Sequence, residues 1–282
     1  MPTSKRLELT RILKATNAGW KAKPTKKEYS LGYVPGPEEH SLVTREMLAR
    51  SNNQQFMAAA AVGGPGYPAS FDWRNAAGHN YITPIRDQKQ CGSCVAFGCV
   101  ASVEANVRVQ KHQPTLNINL SEADLFFCHD GVQGGSCGTG WNVNPALTVF
   151  KNSGVPDEKC FPYSDHDQPC KRCADWKKRA VKIKAFHAIT VTGAMKAWLA
   201  KYGPLVTCFT VYSDFFSYHT GIYRHVSGVL KGGHCVSCIG YNDIQRYWIC
   251  KNSWGPAWGD HGFFKIAYGQ VGIDAIMWGV EV

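Results

Sequence analysis

Downstream of Cys94 the sequence reads VAFGCVASVEANVRV, with apolar residues at 96, 97, 99, 100, 103 and 107. That spacing predicts a helix with a broad buried face. Gly92 and Ser93 form its turn and N-terminus, which puts Cys94 at or just inside the helix start. A shorter helix is predicted from Ser121 in LSEADLFF, where Ser121 and Asp124 resemble a capping box. A third runs from Gly193 to Lys201 and ends near Gly203-Pro204. The pattern then changes. PLVTCFTVY, HCVSCIGYN, RYWICKNSW and GFFKIAYG are short β-rich runs parted by Gly, Asn and Asp turns. A helical half followed by a sheet half predicts an α+β protein in two lobes. Residues 1–66 stand apart. They carry ten basic and five acidic side chains and no cysteine. One helix is predicted there over Ser41 to Ala61, on Leu42, Met47, Leu48 and Phe56. The run Gly63-Gly64-Pro65-Gly66 that follows has the composition of an exposed linker.

Composition narrows the class. The 282 residues are 44% hydrophobic and 12% aromatic, enough for a well-filled core in one large domain or two ordinary ones. No apolar run approaches the roughly 20 residues of a membrane helix, so no membrane partner is expected. The basic, polar start lacks the apolar stretch of a secretory signal. The net charge of +10 is concentrated in residues 1–66 and in Lys171, Arg172, Lys177, Lys178, Arg179, Lys182 and Lys184. No nucleic-acid-binding motif accompanies it, so a solvated basic face is expected and nucleic acid is not.

Twelve cysteines are many for a reduced cytosolic protein. Three C-x-x-C pairs occur: Cys91/Cys94, Cys170/Cys173 and Cys235/Cys238. Such pairs can hold zinc or exchange disulfides. Zinc needs four unbridged thiolates, and Cys94 opens a helix where a zinc knuckle wants a hairpin. Disulfide exchange is expected in a βαβ context, and none follows. The third reading is division of labour, one sulfur structural and one nucleophilic. Unpaired N–H groups at a helix start favour a thiolate and can also donate to an oxyanion. A thiolate nucleophile needs a proton acceptor. GGHCVSCIGYN offers His234, with two glycines leaving space beside the ring, and KNSWGPAWGDHGFFKI offers Asn252 to orient it.

At these residues the chain resembles the papain family of cysteine peptidases, the cathepsin-like group. Gln88 stands six before Cys94, in the place of the oxyanion-hole glutamine of Q-x-x-C-G-S-C. Cys94 matches the nucleophile, His234 the general base, Asn252 the residue that orients it, and Trp254 the tryptophan that shields that bond. FDWR at Phe71–Arg74 resembles the start of the mature enzyme, and TPIRDQ and GPAWGDHGFFKI continue the pattern over roughly 67–282. His and Asn lie about 130–150 residues beyond the Cys in this family; here the separations are 140 and 158.

The resemblance implies a two-lobed papain-like fold with the cleft between a helical lobe, about 79–180, and a β-barrel-like lobe, about 181–282. It implies an endopeptidase acting on polypeptides, with no metal or cofactor and as a monomer. It implies bridges Cys91–Cys137, Cys128–Cys170 and Cys160–Cys173. Cys99, Cys208, Cys235, Cys238 and Cys250 lie in apolar runs and are read as buried thiols. The groove is expected along Gly138, Thr139 and Gly140, and the pocket for the second residue before the scissile bond along Trp141, Asn142, Gly232, Gly233 and Ile276. An apolar floor at Ile276 implies a hydrophobic or aromatic preference. The short Cys160–Cys173 segment leaves no room for a cathepsin B-like occluding loop. Two departures stand out. Val95 replaces the usual tryptophan after the nucleophile, which alters packing. Thr139 replaces the first glycine of a pair, which bears on cleft width. Residues 1–66 resemble a short propeptide, NAGWKA at Asn17–Ala22 matching a cathepsin B tryptophan motif, and are expected to cover the cleft until a cut near Gly63–Ala69. Two rivals are a catalytically silent binding protein and a peptidase-like acyltransferase. Cysteine usage points to an extracytoplasmic or lysosome-like compartment, and the missing signal to the cytosol.

Overall fold

The computed structural model describes residues 3–23, 25–34, 66–129 and 135–282. The helix predicted over Ser41–Ala61 lies outside them, as does the start of the expected cut site. The N-terminal segment forms helix α1 (Thr3–Ala15) and, after a turn with Asn17 at φ 48°, strand β1 (Trp20–Ala22). The rest of the chain begins with β2 (Ser70–Asp72) and a short 3-10 turn. Helices α2 (Cys94–Gln110), α3 (Glu122–Phe127), α4 (Val143–Asn152) and α5 (Trp176–Arg179) follow. Then come β3 (Ala185–Ile189), α6 (Thr192–Lys201), β4 (Leu205–Tyr212), β5 (Tyr218–Tyr223), β6 (Leu230–Asn242), β7 (Tyr247–Lys251), β8 (Phe263–Ala267) and β9 (Met277–Glu281). The order is the two-lobed α+β arrangement.

Helix α2 is buried on almost every side, not on one broad face. Its polar residues survive burial because each is bonded. Ser102 donates to Ser237, Asn106 to the carbonyl of Pro204, and Glu104 accepts from Thr83 and from the Leu120 N–H. Gly98 lets the helix approach β6: a Cβ there would lie 2.9 Å from the Cys235 sulfur. Ser121 caps α3 by accepting from the Asp124 N–H at 2.9 Å, and Asp124 is buried against Arg172.

The strands run in the order β1-β5-β8-β7-β6-β4-β9-β3, with β2 also on β6; β5 and β8 are parallel and the other pairs antiparallel. One core cluster joins α2, α3 and α4 to inward residues of β4, β6 and β9; a second lies within the sheet lobe around Trp198, Phe215, Trp248 and Phe264. The sheet thus holds His234 on β6 opposite the first turn of α2. Three disulfides tie the helical side: Cys91–Cys137, Cys128–Cys170 and Cys160–Cys173. The other six cysteines, Cys94 among them, are buried thiols.

Candidate active site

Cys94 is the first residue of α2 and is fully buried. Its sulfur meets the backbone N–H groups of Cys235, Gly32 and Val95. Cys235 follows His234, so the thiol sits beside the strand that carries the imidazole. His234 Nε2 lies 2.7 Å from Asn252 Oδ1, and that oxygen also accepts from the Ser253 N–H at 2.8 Å. The second bond fixes which end of the amide faces the ring. An amide oxygen only accepts, so Nε2 carries the proton and Nδ1 is left as a bare acceptor. Nδ1 has no hydrogen-bond partner among the described residues. Trp254 stacks on the ring at 4.5 Å and 30°.

Gln88 is also fully buried. Its Oε1 accepts from Ser253 Oγ at 2.6 Å, and its Nε2 donates to the carbonyls of Cys91 at 3.0 Å and Ser30 at 3.1 Å. The structure therefore brings Cys94, His234, Asn252, Gln88 and Trp254 into one site where the two lobes meet.

Residues 29–34 of the N-terminal segment lie in that site. Tyr29 stacks on Trp254 at 4.5 Å. Tyr33 donates its N–H to Gly233 at 3.1 Å, Val34 donates to Trp141 at 2.8 Å, and Trp141 donates to Gly32 at 2.7 Å. The approach is close enough to demand glycine. A Cβ on Gly32 would lie 1.7 Å from the Gly92 carbonyl oxygen, one on Gly140 2.1 Å from the Gly32 oxygen, and one on Gly233 2.5 Å from the Tyr33 oxygen.

The comparisons with known proteins decide the family. The family model described as papain family cysteine protease matches residues 67–278. The chain belongs to this family. It is a cysteine peptidase, a hydrolase of peptide bonds. It is 32% identical to a cathepsin B-like protein, CP3, of Giardia intestinalis over 273 residues, covering 90% of this chain and 86% of the relative. It is 29% identical to cathepsin B of Dictyostelium discoideum, covering 73% and 71%. The fold matches digestive procathepsin L2 from the larval midgut of Tenebrio molitor with a TM-score of 0.81 at 23% identity, over 100% of this chain and 91% of that one. It matches proCathepsin B S9 of Trypanosoma congolense with a TM-score of 0.72 at 23% identity, over 100% and 99%.

Other residues of the papain-like site fall as follows. Trp141 and Ile276 are buried in one cluster, with Tyr33 packed against it. Gly232 lies under Leu31, and Asn142 is the half-buried N-cap of α4. Gly138 and Thr139 are exposed, and the Thr139 hydroxyl is tied to Ser136 at 2.7 Å. The strand-like approach of residues 32–34 is to Gly140, Trp141 and Gly233. Val95 is fully buried in the helical-side core.

A thiol at a helix start is expected to have a lowered pKa. In this covered site burial dominates instead and pushes the Cys94 thiol up. Burial also lowers His234 to about 4, partly offset by its bond to Asn252. Both shifts favour the neutral form in the covered site. Sequence reasoning passed over Ser253 and Tyr163. The signal for Ser253 was its place beside Asn252; nothing along the chain singles out Tyr163, whose hydroxyl donates to the Gln88 carbonyl from the loop closed by Cys160–Cys173.

Proposed function

We propose that the protein is a latent cysteine endopeptidase. Cys94 is the nucleophile, His234 the base and Asn252 its orienting partner. The supporting observation is the bond from His234 Nε2 to Asn252 Oδ1, which leaves Nδ1 a bare acceptor on the strand whose next residue, Cys235, meets the Cys94 sulfur. With a substrate in place, Cys94 transfers its proton to His234 and attacks the peptide carbonyl. The Cys94 N–H and Gln88 Nε2 stabilise the oxyanion. His234 protonates the leaving amine and then activates the water that releases the acyl-enzyme.

Residues 1–66 are the inhibitor. Residues 29–34 lie in the cleft, and their geometry disfavours cleavage there. The sulfur meets the Gly32 N–H. The carbonyl held by Gln88 belongs to Ser30, two residues away. Attack and oxyanion stabilisation are thus addressed to different peptide groups. Removing the segment rehydrates the site and lets the thiol proton pass to the imidazole. The neutral pair and the ion pair hold the same number of protons, so the pair itself switches by internal transfer. Tyr33, lodged against the cluster of Trp141 and Ile276, supports a hydrophobic or aromatic preference at the pocket they border.

The test is intact mass after treatment with E-64, an epoxide that alkylates thiols of this family. Full-length chain and its Cys94→Ala variant are first held at mildly acidic pH under gentle reduction. One adduct on a shortened chain, absent from the variant, is expected. An adduct on the intact chain would remove the inhibitory role. No adduct on a folded chain would overturn the peptidase mechanism.

A further inference from the structure

The two donors proposed for the oxyanion come from separate elements. Gln88 lies in the loop before α2, and the Cys94 N–H belongs to the first turn of α2. One hydroxyl joins them. Tyr163 Oη is 2.9 Å from the Gln88 carbonyl oxygen and 2.7 Å from Ser93 Oγ. The proton count fixes the direction of both bonds. A carbonyl only accepts, so the phenol proton goes to Gln88. Ser93 must then donate its own hydroxyl proton to Tyr163.

This has an effect at the helix start. Ser93 is the N-cap of α2, and a serine there ordinarily accepts from an N–H of the first turn. Here it makes no such cap bond. With its hydroxyl turned to Tyr163, the N–H groups of the first turn are left for the site. Tyr163 itself is held firmly. Its ring stands edge-on to Phe97 at 4.8 Å and 89°, its N–H donates to Glu158 at 2.7 Å, and Cys160–Cys173 closes its loop.

We infer that Tyr163 is a positioning residue of the oxyanion hole, which sets the spacing between Gln88 and the first turn of α2 through Ser93. The inference rests on the peptidase reading above. It predicts loss of transition-state stabilisation with substrate binding and thiol reactivity preserved.

Full-length wild type, Tyr163→Phe, Ser93→Ala and the double variant are activated in acid under reduction. Each is assayed for kcat and KM on a peptide substrate, for Ki of a peptide aldehyde, and for its rate of alkylation by E-64. The aldehyde forms a tetrahedral adduct that draws on the hole, whereas the epoxide reports the thiol. In Tyr163→Phe, kcat is expected to fall about tenfold and aldehyde Ki to rise by a similar factor, less than the loss of a whole donor. KM and the E-64 rate are expected to stay within about twofold. The double variant should lose less than the product of the two single losses. Unchanged kcat, or equal loss in the aldehyde and E-64 readouts, overturns the inference. If Tyr163→Phe fails to fold, Ser93→Ala carries the same test. A wild type that neither hydrolyses peptide nor takes the E-64 label overturns the peptidase reading first, and this inference with it.

Discussion

Trp254 has ring neighbours on several sides: His234 and Tyr29 stack on it, while Phe215, Phe216 and Trp258 meet it edge-on. The result is a dry site, and the dryness governs protonation. His234 titrates near 4 in the folded latent chain against about 6.5 when unfolded. Between those values the unfolded chain binds the extra proton. The contribution of neutral His234 to stability is therefore whole above pH 6.5 and lost as the pH falls toward 4. In a full-length Cys94→Ala background, which by the proposed mechanism cannot process itself, adding His234→Gln should raise the melting temperature at pH 4.5 relative to its effect at pH 7. A gain of a few degrees is expected, at about 2–4 °C per kcal/mol for a chain of this size. An equal effect at both pH values would mean that the imidazole is not buried neutral. The pattern of residue types made Cys94, His234, Asn252 and Gln88 legible as candidates. Their protonation was not legible, because it depends on what covers them, and Tyr29–Val34 carry no local mark of lying in a cleft.

Among the elements, α2 and the strands β4, β6, β7 and β8 were legible because their runs are long, apolar and bounded by turns. Helix α4 was not, since Pro145 interrupts its first turn, where proline is tolerated. Strands β1 and β5 were missed as well; β1 is three residues long and pairs only with β5, and YHTGIY has no clean alternation. The segment's seat is set by backbone clearance, which a sequence pattern hides. Gly32→Ala puts a methyl group into the Gly92 carbonyl, and overpacking of this kind costs about 1–3 kcal/mol. The unprocessed Gly32→Ala chain should therefore react with E-64 at neutral pH tens of times faster than the unprocessed wild type. An unchanged rate would mean that the cleft is not where the segment is held.

Across the whole molecule, the lobes are joined by buried charge as well as apolar contact. Lys251 of β7 reaches Thr83 at 2.9 Å, and Thr83 donates to Glu104 of α2 at 2.6 Å. Lys251 is drawn down to about 8 by burial. Glu122, nearby on α3, is raised to about 8, by burial first and then by Glu104 and Glu158. The folded chain thus keeps a proton on Glu122 that the unfolded chain releases near 4.5. Its contribution is full below that pH and is lost as the pH climbs toward 8. Glu122→Gln, neutral throughout, should melt progressively higher than the parent over that window, and no change in the difference between pH 4.5 and 8 would contradict the assignment. Strand β1 has a consequence of another kind. It is the outermost strand of its sheet and pairs with β5 from Trp20 to Ala22. Cutting the segment away leaves the β5 rim with open N–H and C=O groups, a template for any extended chain. Removal of the segment in the proposed activation would trade a capped edge for an open one.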